Sequence, residues 1–102
     1  MKLPTEIRVG YRKIKVELYD FYDDTQGVFL DHKSTIRIDQ DLEQQVRAET
    51  FLHELLHTIF RTSMVGLPMK EEERVIRAIS PFLLQFINDH PEVIADMRKA
   101  LK

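Results

Sequence analysis

The hydrophobic period of this chain changes once, near Asp41, and that switch dictates a sheet followed by helices. Before it, Ile7, Val9 and Tyr11 alternate with polar neighbours, and Ile14, Val16 and Leu18 resume the pattern after a short polar break. A period of two carried on β-branched residues marks half-buried strands. Gly10 reads as a bulge or bend within one long strand. Tyr19 to Gln26 is a polar loop with interleaved aromatics. Gly27-Val28-Phe29-Leu30 and Thr35-Ile36-Arg37-Ile38 then read as two short strands around a turn at Asp31-His32-Lys33-Ser34, a hairpin. The strand region spans about 5–39.

After the switch, apolar residues recur at helical spacing. A first helix over about 41–62 has Asp41 as N-cap, with Gln44 three residues later, and carries Leu42, Val46, Leu52, Leu55, Leu56, Ile59 and Phe60. Its stretch from Phe51 to Phe60 is apolar almost all round, which is expected of a buried central helix. A second helix over about 70–89 opens with Glu71, Glu72 and Glu73, where the helix dipole favours carboxylates. Its stripe is Val75, Ile76, Ile79, Phe82, Leu83 and Phe86, and Pro81 either kinks it or restarts it with Ser80 as cap. A terminal helix over about 91–101 carries Val93, Ile94, Met97 and Leu101 on one side. The 102 residues are thus expected to form one α+β domain. In it, a small, mostly antiparallel N-terminal sheet of three to four strands packs on a central helix and C-terminal helices.

Composition narrows the function classes. The 15 Lys and Arg and 17 Asp and Glu are mixed along the chain for a net charge of −2, which argues against a nucleic-acid partner. Without cysteine, neither disulfides nor thiolate metal sites contribute. The N-terminal residues lack the apolar core of a signal peptide, and no stretch approaches transmembrane length, so a cytoplasmic protein with no membrane partner is expected.

The chemistry concentrates in His53-Glu54-Leu55-Leu56-His57. Two histidines four residues apart lie about one helical turn from each other on one face, so their imidazoles can meet at one zinc ion. Glu54 lies too far round to be a good ligand and instead can activate the zinc-bound water as general base. Such a triplet on the most apolar helix of the chain is costly to bury without partners, which favours a metal over a chance match.

A catalytic zinc needs a third protein ligand. The candidates are Glu71, Glu72, Glu73, His32 and His90. Glu72 precedes Val75, Ile76 and Ile79 by three, four and seven residues and so faces inward. That ranks it first, with Glu73 as the alternative. His32 reads as a turn residue and His90 as a helix-terminus residue. Tyr11, Tyr19 and Tyr22 read as packing or surface aromatics, any one of which could donate to an oxyanion.

Strands, the hairpin strand Thr35-Ile36-Arg37-Ile38-Asp39, the segment Glu49-Thr50-Phe51-Leu52-His53-Glu54-Leu55-Leu56-His57 and a glutamate on the next helix together resemble a minimal zincin core of the gluzincin type. Most similar are the small ImmA/IrrE-like metallopeptidases, many encoded by phages and integrated elements. The resemblance implies zinc held by His53, His57 and a downstream helical glutamate, with Glu54 as catalytic base. It also implies an edge strand, here the hairpin at 27–39, that pairs with an extended peptide substrate.

Two functions of different class follow. The first is a zinc metallopeptidase of narrow specificity acting on a polypeptide, such as a regulatory protein. The second is a metal-stabilised binding module of little or no turnover, in which zinc contributes folding energy. A purely structural site has no use for Glu54, which favours the enzyme.

Overall fold

A computed structural model describes all of residues 1–102. It contains strands β1 (Glu6–Val9), β2 (Arg12–Tyr19), β3 (Gly27–Leu30) and β4 (Thr35–Asp39), followed by helices α1 (Gln44–Ser63), α2 (Met69–Asp89) and α3 (Pro91–Ala100). The fold is α+β, as the single switch in period requires.

The strands form one sheet in the order β1-β2-β4-β3. β1 and β2 pair antiparallel, β3 and β4 pair antiparallel, and β2 runs parallel to β4. The expected bulge at Gly10 is instead a tight turn: Val9 pairs with Arg12, so Gly10 and Tyr11 alone connect two strands. Gly10 has φ +59° and Tyr11 does not share the positive sign, as in a two-residue turn with glycine first. The turn at 31–34 forms as anticipated, through a short 3-10 turn (Asp31–Lys33) and Ser34 in the left-handed region. It folds β4 back beside β2, which makes β4 interior and leaves β3 on the sheet edge.

Alternation on β2 and β4 places Ile14, Val16, Ile36 and Ile38 on one buried face. Leu3, Ile7, Val9, Phe29, Leu42 and Phe51 pack around them. α1 covers this face against β3 and β4. Its start differs from expectation: the cap position is Glu43 rather than Asp41, and it makes no side-chain cap bond. Nor is α1 buried all round. Ile59 is exposed and Leu52 and Leu55 are half-buried, while Thr50, Glu54, His57 and Thr58 are buried. α2 neither stops nor restarts at Pro81. The bond that proline forfeits is to the carbonyl of exposed Arg77, where water can replace it. Of the anticipated α2 stripe, Ile76 is fully buried, whereas Ile79, Phe82, Leu83 and Phe86 are exposed. No helix is long and apolar enough to cross a membrane.

β3 approaches α1 closely at Gly27. A Cβ there would lie 2.6 Å from Thr50 Cγ2 and 3.3 Å from both Glu54 Cγ and the Arg37 carbonyl oxygen. Gly27→Ala should therefore destabilise the protein by about 1–3 kcal/mol, the usual cost of overpacking. In a Thr50→Ser background, which removes the clashing methyl, the cost should shrink; denaturant unfolding of the two pairs measures the difference, and equal costs would mean the contact is not limiting.

Candidate metal centre

α1 carries a polar stripe of Thr50, His53, Glu54, His57, Thr58 and Arg61, spaced three or four apart and hence along one face. That face looks onto β3 and onto the first turns of α2. Between them runs a cleft of about 1090 Å3, with β3 and the 31–33 turn as one wall and α2 from Met69 to Leu84 as the other. No residue of α3 lines it.

On the cleft floor the rings of His53 and His57 stand edge to face, 5.0 Å between centroids. His53 Nε2 lies 2.6 Å from Glu73 Oε1, and His57 Nε2 lies 3.2 Å from Glu73 Oε2. One donor atom from each of the three residues falls within 4.8 Å of the others. Ligands sharing a tetrahedral zinc at 2.0–2.1 Å stand about 3.3 Å apart. The trio therefore needs only small side-chain movement to share an ion, and two imidazoles with one carboxylate is a donor set of catalytic zinc. These residues fit the metal.

Glu72, ranked first for this place by its helical face, lies elsewhere. Its inward orientation is real, since it is only 2 % exposed. But it meets His57 on the other side of the ring, with Oε2 at 2.6 Å from Nδ1, and its Oε1 receives Arg61 Nε at 3.1 Å. Glu73 reaches the two Nε2 atoms because α2 crosses α1 at its first turn. Periodicity ranks burial along one helix, whereas convergence on a second helix depends on where the two cross.

Glu54 is 7 % exposed and lines the same cleft. Burial pushes its carboxyl up to about 7, and the negative charge of Glu73 adds to this; His57 and the Phe29 backbone N–H act in the opposite sense. Burial also holds the His53 imidazole below its ordinary value, opposed by Glu73 and assisted by the charge of His57. Burial works to raise the Glu73 carboxyl, but the positive charges of His53 and His57 and bonds from His57 and Arg77 outweigh it and hold it low.

The edge strand faces this floor. Gln26 O accepts from Asp39 N at 2.8 Å, and Val28 pairs with Arg37 and Leu30 with Thr35. In an antiparallel ladder hydrogen-bonded pairs alternate, so the peptide groups of Gly27 and Phe29 point off the sheet. The influence of the Phe29 N–H on the Glu54 carboxyl agrees with that phase.

Other sequence candidates are placed apart. His32 lines the cleft wall. His90 stands at the α2–α3 junction, 3.5 Å from Glu92. None of Tyr11, Tyr19 and Tyr22 lines the cleft; Tyr11 and Tyr22 are exposed, and Tyr19 lies beneath the Arg37 guanidinium at 4.3 Å. Two contributors carried no motif. Gly27 admits Glu54 and Thr50 beside β3, and Arg61 holds Glu72; the signal for Arg61 was its place four residues after His57.

The Glu54 carboxyl generates a pH prediction for the zinc-free protein. Its folded value of about 7 exceeds the ordinary 4.5, so between these values the folded state binds more protons than the unfolded. The resulting stability is present below pH ~4.5 and is lost as pH rises through ~7. In the presence of chelator, the melting temperature of the wild type should fall across this window relative to Glu54→Gln, and parallel curves would contradict a buried, protonated Glu54.

Compared with models of known protein families, with curated proteins and with solved structures, the chain finds no match.

Proposed function

We propose that this protein is a zinc-dependent peptidase in which His53, His57 and Glu73 hold the metal and Glu54 is the general base. The observation that carries the reading is the convergence of those three side chains, one donor atom each, on the floor of a cleft that also holds Glu54. When bound, zinc would act as a Lewis acid toward a peptide carbonyl and make water acidic enough to lose a proton near neutral pH. The buried Glu54 carboxylate would take that proton and return it to the leaving amine. Its raised pKa suits a group that must both accept and donate.

A minimal zincin-like arrangement accounts for the shape of the cleft. The peptide groups of Gly27 and Phe29 that β4 leaves outside the ladder lie beside Glu54, where an extended polypeptide could add to the edge of β3. Binding through backbone would hold the scissile bond over the base, and the cleft walls would set the narrow specificity. A cytoplasmic setting and a regulatory protein as substrate belong to this reading.

The small core favours a second reading. Only six hydrophobic side chains are buried, beside six polar or charged ones, so a bound zinc joining α1 to α2 would contribute to folding directly. A metal-stabilised binding module uses the same site without turnover.

One comparison separates them. Zinc-loaded wild type should cleave an unstructured protein such as casein, and Glu54→Gln should retain zinc while losing about 10²–10⁴-fold in rate. Glu73→Ala should lose zinc affinity more severely than Glu71→Ala, measured by competition with a chromogenic chelator. A wild type that binds zinc, melts higher with it and cleaves nothing would replace the enzyme with the binding module.

A further inference from the structure

We infer that Glu72 is a positioning residue that accepts the Nδ1 proton of His57 and so presents Nε2 of that ring to the metal. This rests on the zinc site proposed above but assigns Glu72 a role outside the ligand set.

A neutral imidazole carries one proton, and the nitrogen without it is the one able to bind a metal. At His57 the two nitrogens meet different surroundings. Nδ1 is 2.6 Å from Glu72 Oε2, a short charge-assisted contact, whereas Nε2 faces the carboxylate of Glu73. No carboxylate stands at Nδ1 of His53, whose contact with Glu73 is through Nε2 alone. The two histidines are therefore unequal, and only His57 has a buried acid at Nδ1.

Glu72 is in turn held. Arg61 Nε bonds its Oε1 at 3.1 Å, and Arg61 Nη1 lies 3.5 Å from Asp31 Oδ2. Asp31 immediately follows β3 and is gripped by Arg12, through Nη1 to Oδ1 at 2.8 Å and Nη2 to the backbone oxygen at 2.8 Å. A chain of alternating charge thus runs from a metal histidine to the end of the edge strand. Arg61 thus stands as the cationic partner of a carboxylate that is only 2 % exposed. For Glu72 to become a ligand, its contacts with both His57 and Arg61 would have to break.

The test uses the full chain. In 15N-edited spectra of zinc-loaded wild type, His57 should show a proton on Nδ1 that exchanges slowly, with Nε2 bound to metal. Removing the partner of a metal histidine typically weakens binding ~10–100-fold, and Glu72→Ala should do so. Glu72→Gln keeps an acceptor for Nδ1–H and should recover most of that loss. A merely structural ion pair between α1 and α2 would lower melting temperatures in both variants and leave the His57 tautomer and the zinc affinity below melting unchanged. The inference is overturned by metal on Nδ1 of His57, by wild-type affinity in Glu72→Ala, or by zinc loss in Glu72→Ala exceeding that in Glu73→Ala. The wild-type spectrum decides the tautomer even if Glu72→Ala fails to fold. Absence of zinc binding by wild type is a separate outcome that removes the metal site itself and this role with it.

Discussion

Everything in this fold depends on how a polar helix face is buried. α1 turns Thr50, Glu54, His57 and Thr58 inward, and with Thr35 and Glu72 these equal in number the six buried hydrophobics. Burying such groups without partners costs more than a core of this size can offset. Four of the six are instead paired locally or across elements. Thr58 donates to the Glu54 carbonyl at 2.9 Å, Thr35 to the Lys33 carbonyl at 2.9 Å, and His57 meets Glu72. The polar face is thus a network joining α1 to α2 and to the edge strand, and the cleft is the gap left where these three diverge.

The sheet supplies the other half of the arrangement. Four isoleucine and valine side chains on adjacent strands, Ile14 and Val16 beside Ile36 and Ile38, anchor the floor on which α1 rests. The hairpin that returns β4 beside β2 places β3 outermost. A larger residue at position 27 would push β3 from α1 and with it the Phe29 N–H from Glu54. Sheet order and one missing side chain therefore set the distance between a free strand edge and a buried carboxylate. That distance is what makes a peptide-binding edge and a general base parts of one site in the proposed reaction.

Much of this was legible along the chain, and the failures have identifiable causes. The strands at 27–30 and 35–38, their connecting turn and the three helices follow from periodicity because neighbouring residues decide it. Gly10 was misread because a two-residue turn and a bulge both call for a glycine, and only the pairing of Val9 with Arg12 distinguishes them. Asp41 was misplaced as a cap because capping residues also serve ordinary turns: it lies in the turn after β4, where its N–H approaches Asp39 Oδ1 at 3.5 Å. α1 was expected to be buried almost all round from Phe51 to Phe60, yet Leu52 and Leu55 are only half-buried and Ile59 is exposed, while much of the His, Glu and Thr stripe is buried. Hydrophobicity predicts burial poorly on a helix face that meets the carboxylates of a neighbouring helix, as His53 and His57 meet Glu72 and Glu73.

The site divides in the same way. Spacing alone determines that His53 and His57 share a face, that Glu54 sits beside them, and that Glu72 points inward, because helical geometry relates residues of one helix to each other. Which glutamate meets the two Nε2 atoms depends on how α2 crosses α1, and crossing is set by packing over many residues and the loop between them. The same crossing gives His57 a carboxylate at each nitrogen, Glu72 at Nδ1 and Glu73 at Nε2. A histidine in a sequence has two nitrogens able to bind a metal; tertiary structure favours one by deciding what stands at each.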